Sequence, residues 1–153
     1  MIDPRPSPEY HYGTLRRDEL HNDPFEQFNR WHGIPYVGLR ISNIMEPHDY
    51  QRFPGWQDDP MVRRWNLWGY VDGRDVAQAV RLSLESHLDG AENFLIAAAD
   101  TCMSRPSMDL MREVFPDVPI TEPVDGTDTL LSIAKARAML DYGPRYAWRD
   151  QLD

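Results

Sequence analysis

The sequence predicts an α/β fold in which a partial parallel sheet is flanked by helices. Two short apolar runs, Tyr36–Ile41 and Asn93–Ala98, are rich in β-formers and nearly continuous rather than alternating. That pattern belongs to strands of a parallel sheet buried on both faces. Between them, Val76, Ala79, Val80, Ser83, Leu84 and His87 follow helical spacing, so an Asp72–His87 helix is expected to pack on the sheet. With 153 residues, 41% of them hydrophobic, one domain with a real core is expected over 1–153.

The chain is organised around the stretch from Gly33 to Asn43. Gly33 and Pro35 bound the first strand on one side and Asn43 on the other. In open α/β sheets the ligand crevice lies beyond the carboxyl ends of the strands, which places Arg40, Ser42 and Asn43 where a site belongs. The alternative for Asn43 is an Asx-turn that merely closes the strand.

The other elements follow in order. Residues 1–12 are proline-rich and read as loop, and Gly13 to His21 reads as helical. Asp23-Pro24-Phe25-Glu26 then resembles a capped restart, with proline at the first helical position and a capping box between Asp23 and Glu26. Phe25, Phe28 and Trp31 would form its apolar side before Gly33 stops it. Ile44 to Val62 contains Pro47, Pro54, Gly55 and Pro60, and is expected to be a long loop. Trp65 to Val71 is expected as a short extended piece, after which Asp72 caps a helix with Asp75 in its first turn and Gly90 ends it. Ser107 is expected to cap a helix running to Phe115. Ser132 is expected to cap one through Leu140, with Ile133, Ala136 and Leu140 inward.

Composition narrows the partners. The net charge of −9 and a pI near 4.9 argue against a nucleic-acid backbone. No apolar run has bilayer length and the N-terminus lacks a signal-peptide form, so no membrane partner is expected. The single cysteine, Cys102, suits a reducing cytoplasm. It cannot complete a zinc site, and the histidines show no paired ligand spacing, so no metal is expected. Asp72 and Asp75 invite a reading as paired catalytic carboxylates, but their place at a helix start already explains them. Trp56, Trp65, Trp68 and Tyr70 suit either stacking on a sugar or a hydrophobic cap over the core. Arg63 and Arg64, beside Trp65, suit either an anionic substrate or a solvated surface.

Five pieces in order resemble the C-terminal part of the extended short-chain dehydrogenase/reductases, the NAD(P)-dependent epimerase/dehydratase family. Pro8-Glu9-Tyr10-His11-Tyr12-Gly13 resembles the approach to the catalytic tyrosine, and Gly33 to Asn43 the strand after the catalytic helix. Gly69-Tyr70-Val71-Asp72-Gly73-Arg74-Asp75-Val76-Ala77 is similar to a family helix start. Asn93 to Asp100 is similar to a late strand. Leu131 to Arg137 with Tyr142-Gly143-Pro144 resembles the closing segment. The resemblance implies the end of a Rossmann-like domain plus the small C-terminal substrate-binding lobe. It also implies an NAD or NADP cofactor, and oxidoreduction or epimerisation of a sugar-like substrate.

By the same resemblance, Tyr12 and Arg16 stand where the family's Tyr-x-x-x-Lys acid/base pair stands, and Arg40, Ser42 and Asn43 fall to substrate binding, to which Arg63 and Arg64 are added for their charge beside Trp65. Arg16 keeps the charge of the expected lysine but cannot relay a proton. The glycine-rich pyrophosphate turn is missing from this sequence. The chain is therefore expected to be a member lacking its first half, inactive alone, and prone to self-association or to binding a partner chain. The competing expectation is a non-catalytic remnant or protein-interaction module.

Overall fold

The computed structural model describes residues 24–151, so Tyr12, Arg16 and the helix expected at Gly13–His21 lie outside the described residues. The described chain is a mixed α/β arrangement. Four strands pair into two small parallel sheets, and helices flank them.

Helix α1 (Pro24–His32) opens on proline, which suits the first turn. It stops at Gly33, whose φ of +66° is the left-handed conformation that favours glycine at a helix end. Phe25 and Phe28 lie against Tyr36, with ring centroids 5.6 and 6.3 Å away. Trp31, expected on the same apolar side, is instead 71% exposed.

Strand β1 (Tyr36–Ile41) has the expected bounds. It pairs in parallel with β4 (Ala91–Ile96), in a register running from Tyr36↔Ala91 to Ile41↔Ile96. The second strand lies two residues earlier than expected, with Ala97 and Ala98 buried just beyond its end. The expected burial on both faces does not hold for β1, whose residues are half-buried up to Leu39 and exposed at Arg40 and Ile41. Its apolar content suits a central strand, yet among the described residues it has a single strand neighbour.

The stretch expected as a long loop carries structure. Strand β2 (Ile44–Met45) pairs in parallel with β3 (Val71–Asp72). A 3₁₀ segment, Pro47–Trp56, begins at Glu46 and buries Tyr50 and Phe53. Asp49 caps its start by accepting the Glu46 N–H at 3.0 Å. Its three-residue turn escapes a search for the 3.6-residue period, and its prolines read as breakers.

Helix α2 (Gly73–Glu85) is capped by Asp72, which accepts the Arg74 N–H at 2.8 Å, as the sequence implies. The cap readings for the last two helices need correction. In α3 (Ser107–Val114) Pro106 takes the cap position, and Ser107 donates its hydroxyl to the Asp128 carbonyl at 2.7 Å. Helix α4 (Ala134–Leu140) starts after Ile133, so Ser132 is not its cap, but Ile133, Ala136 and Leu140 are buried as their spacing requires.

Two apolar clusters hold these parts together. One joins Phe94 and Ile96 of β4 to Ala79 of α2 and Ala136 and Leu140 of α4. The other is aromatic, with Tyr50, Phe53, Trp68, Tyr70 and Trp148 around Met103 and Leu110. Edge-to-face contacts run through it, such as Tyr50–Phe53 at 5.3 Å and Phe53–Tyr70 at 5.4 Å. The last described segment is strapped to this cluster. Trp148 donates its backbone N–H to the Tyr70 hydroxyl at 3.0 Å and its indole N–H to the Thr101 carbonyl at 3.0 Å.

Candidate functional site

Where β1 and β4 end, the chain leaves a cavity of about 480 Å³ lined by Arg40, Ile41, Ser42, Asn43, Trp65, Asn66, Leu95 and Leu131. That volume lies within the ~300–1,000 Å³ of small-molecule pockets. Arg40 and Leu95 are cross-strand partners and stand side by side on one wall. Ser42 continues the register, donating its N–H to the Ile96 carbonyl at 2.9 Å, and Asn43 accepts the Val71 N–H on its own carbonyl at 3.0 Å. The turn carrying Trp65 and Asn66 is held by Leu67 and Trp68, both in the left-handed conformation, with φ of 52° and 55°. Trp68 is buried, and its indole donates to the Pro60 carbonyl at 2.7 Å. The core thus anchors the turn while Trp65 stays 60% exposed at the cavity.

Arg40, Ser42 and Asn43, singled out from sequence, are therefore brought together on one cavity. Arg63 and Arg64 behave differently. Arg63 does not line the cavity but backs it, with its guanidinium 4.9 Å from the Trp56 ring centroid and 5.0 Å from that of Trp65. With the Asn43 amide turned so that its oxygen faces Arg63, that oxygen accepts from Nη2 at 2.6 Å and from Nη1 at 3.2 Å. Burial pushes the Arg63 pKa down, and no carboxylate among the described residues offsets this. Arg64 is exposed, lies off the cavity wall and reaches the Met61 sulfur at 3.8 Å.

Polar groups in and behind the cavity wall are unmet. Ser42 Oγ, Asn66 Oδ1 and Arg63 Nε are buried without a hydrogen-bond partner among the described residues. Such groups cost about 1–3 kcal/mol each when left unpaired. Asn66, Leu95 and Leu131 were not singled out from sequence. Asn66 carried a readable signal, a polar residue inside an aromatic turn, whereas the two leucines arrive only by packing.

The paired-carboxylate reading of Asp72 and Asp75 gives way to a structural one. Asp72 accepts the Tyr50 hydroxyl at 2.5 Å and the Arg74 Nε and Nη2 at 2.8 Å each. Burial opposes its charge, but the hydrogen bonds from Arg74 and Tyr50 outweigh this and hold the carboxyl below its usual range. Asp75 accepts the backbone N–H groups of Arg145, at 2.9 and 3.1 Å, and of Tyr146, at 3.1 Å. Burial raises its pKa despite these bonds. Of the four aromatic residues weighed for stacking, Trp68 and Tyr70 are core and Trp56 half-buried, which leaves Trp65. Cys102 is buried in the aromatic cluster, and burial pushes its thiol up to about 12.

A nicotinamide cofactor needs a seat for its pyrophosphate. The N-terminus of α2, which directly follows a strand, is occupied by Asp72 and carries Asp75 in its first turn, so its charge repels a phosphate. Asp109 does the same in the first turn of α3. Neither of these two helix N-termini therefore offers that seat. Among them, no group of three or more His, Cys, Asp or Glu side chains is placed to hold a metal ion, and no helix is long and apolar enough to cross a membrane.

No protein-family model matches the sequence, and no curated protein does. Among solved structures the chain is similar to UDP-N-acetylglucosamine 4-epimerase from Bacillus cereus, at 15% identity and a TM-score of 0.47 over 82% of this chain. It is also similar to UDP-glucose 4-epimerase with UDP-glucose from Thermotoga maritima, at 21% identity and a TM-score of 0.48 over 83% of this chain. The chain spans 46% of the length of each of these two structures.

Proposed function

We propose that this chain carries the substrate-recognition part of an NAD(P)-dependent epimerase/dehydratase-like protein. Its family chemistry would be oxidoreduction or epimerisation of a sugar-like substrate, and the chain alone would not turn over. The observation that carries the reading is the convergence of Arg40, Ser42, Asn43 and Asn66 with an exposed Trp65 on one cavity at the strand ends. An open ring face beside fixed donors and acceptors suits a polyhydroxylated ring. The five motif resemblances, in order, point to the same class. Ser42, Asn43 and Arg40 would contact the substrate, while Arg63 would position Asn43 and Trp65 from behind. Tyr12 and Arg16 keep the proposed acid/base places, and NAD or NADP remains the proposed cofactor, with its pyrophosphate held outside residues 24–151.

A second reading, a protein-interaction module, draws on an apolar groove of about 400 Å³ between β1 and α2, lined by Val37, Leu39, Val80 and Leu84. Titration of the purified chain with NADH and NADPH, followed by fluorescence, together with a sugar-oxidation assay, tests the main reading. No micromolar cofactor binding and no turnover are expected. Turnover by the chain alone that disappears in Tyr12→Phe would overturn the claim that it is inactive by itself.

A further inference from the structure

We infer that a second copy of this chain pairs along the open edge of β1, antiparallel strand against strand, and closes a dimer about a two-fold axis at Leu39. This stands independently of the sugar site. Tyr36 and Ser42 donate their N–H groups to the Gly90 and Ile96 carbonyls at 2.9 Å, so β1 residues of that parity face β4. Val37, Leu39 and Ile41 turn their N–H and C=O groups the other way, where no strand stands among the described residues. Such an edge is normally blunted by proline, a bulge or a charge. β1 has no proline and an unbroken register, and its one charged residue, Arg40, points to the face opposite Val37 and Leu39. Strand β4 is better guarded. Its Glu92 pairs with Lys135 at 2.7 Å, and the Ala97 carbonyl just past its end accepts the Tyr142 hydroxyl at 3.0 Å.

One open edge per copy favours a closed two-fold pair over a growing ribbon. With the axis at Leu39, that residue lies opposite itself and Val37 lies opposite Ile41, so every open group of the strand meets a partner. An axis at Gly38 would set Ile41 against Pro35, which has no N–H to give. An axis at Arg40 would set Val37 against Asn43, whose carbonyl already accepts the Val71 N–H at 3.0 Å. In the Leu39 register each Arg40 stands opposite Gly38, which leaves room for its stem and keeps the two cations apart. The axis runs perpendicular to the sheet, so the grooves beside both α2 helices lie on one face. Val37 and Leu39 line each groove with Val80 and Leu84, and the two join into one apolar trough over the seam. Leu84, 83% exposed at the rim, is covered there. The paired edge is roughly 20 Å long. With α2 above it, the face is on the order of 500 Å² per copy, below the ~800 Å² of a standard interface. The dimer is therefore reversible, and main-chain hydrogen bonds supply much of its affinity.

The test is sedimentation velocity of the purified chain over a wide concentration range. The mass is expected to move from 17.9 kDa toward twice that and no further. Leu39→Pro removes only an N–H that faces the open edge, leaves the β4 pairing intact, and should abolish the shift while circular dichroism stays unchanged. Leu39→Cys gives a readout that does not depend on proline being tolerated. Opposed residues of a hydrogen-bonded antiparallel pair lie about 5.5 Å apart at Cα, within disulfide range, so mild oxidation should yield a covalent dimer. Met139→Cys, 40% exposed on α4, should not crosslink. A chain that stays monomeric at every concentration, or assembles beyond a dimer, would overturn the inference. So would association that survives in folded Leu39→Pro, or Leu39→Cys crosslinking no better than Met139→Cys.

Discussion

Asp72→Asn separates a structural carboxylate from a catalytic one, and its cost can be worked from the contacts. Asparagine still offers an oxygen to the Arg74 N–H, so the helix cap survives. What goes is the charge that accepts the Tyr50 hydroxyl at 2.5 Å and the Arg74 guanidinium at 2.8 Å. The Tyr50 bond is buried and charge-assisted, so its loss costs about 1.5–3 kcal/mol. Arg74 is 41% exposed and can turn to solvent, so its pair adds little. The expected loss is about 1.5–3 kcal/mol, or roughly 3–12 °C in Tm for a chain of this size. The folded-state pKa of Asp72 lies below its unfolded value, so its contribution is present above about pH 4 and is lost as pH falls through the folded value. Urea unfolding followed by tryptophan fluorescence at pH 7 and at pH values below ~4 measures both effects. The deficit of the variant should be full at pH 7 and shrink in acid. A loss under ~0.5 kcal/mol at pH 7, or a deficit that grows in acid, would refute the reasoning.

Three further outcomes are expected. Asp75→Ala leaves the Arg145 and Tyr146 N–H groups unmet and should cost about 2 kcal/mol or more, whereas Asp75→Asn keeps an acceptor and should cost clearly less; urea unfolding of the two side by side decides. Tyr142→Phe removes the hydroxyl that donates to the buried Ala97 carbonyl at 3.0 Å, and thermal melts should register a loss of about 1 kcal/mol. The groove between β1 and α2 exposes Leu84 by 83%, and sedimentation of the wild type should reveal association that rises with concentration and weakens in Leu84→Glu with no loss of fold. A wild type that stays monomeric at high concentration would remove that expectation.

Local rules made much of this protein legible in its residues. The apolar run Tyr36–Ile41 is a strand with the expected bounds, because β-formers between Gly33-Pro35 and Asn43 leave little local alternative. Asp72 caps its helix because a short acidic side chain reaches the first free N–H groups without help from the rest of the fold. Ser42 and Asn43 could be placed beside the cavity at the strand ends by the geometry of strand ends alone. Tertiary structure decided the rest. Strand β1 is half-buried because burial depends on how many neighbours a strand acquires, which its own composition does not state. Ser107 lost the expected cap role when the Asp128 carbonyl, distant in sequence, claimed its hydroxyl. The 3₁₀ segment at Pro47–Trp56 draws on burial of Tyr50 and Phe53 in a cluster built from Tyr70 and Trp148. Arg63 could be flagged as a cation beside Trp65, but its place behind the cavity rather than in it follows from Trp56 and Asn43, far from each other along the chain. A charge recorded in sequence becomes a role only when packing selects which groups surround it.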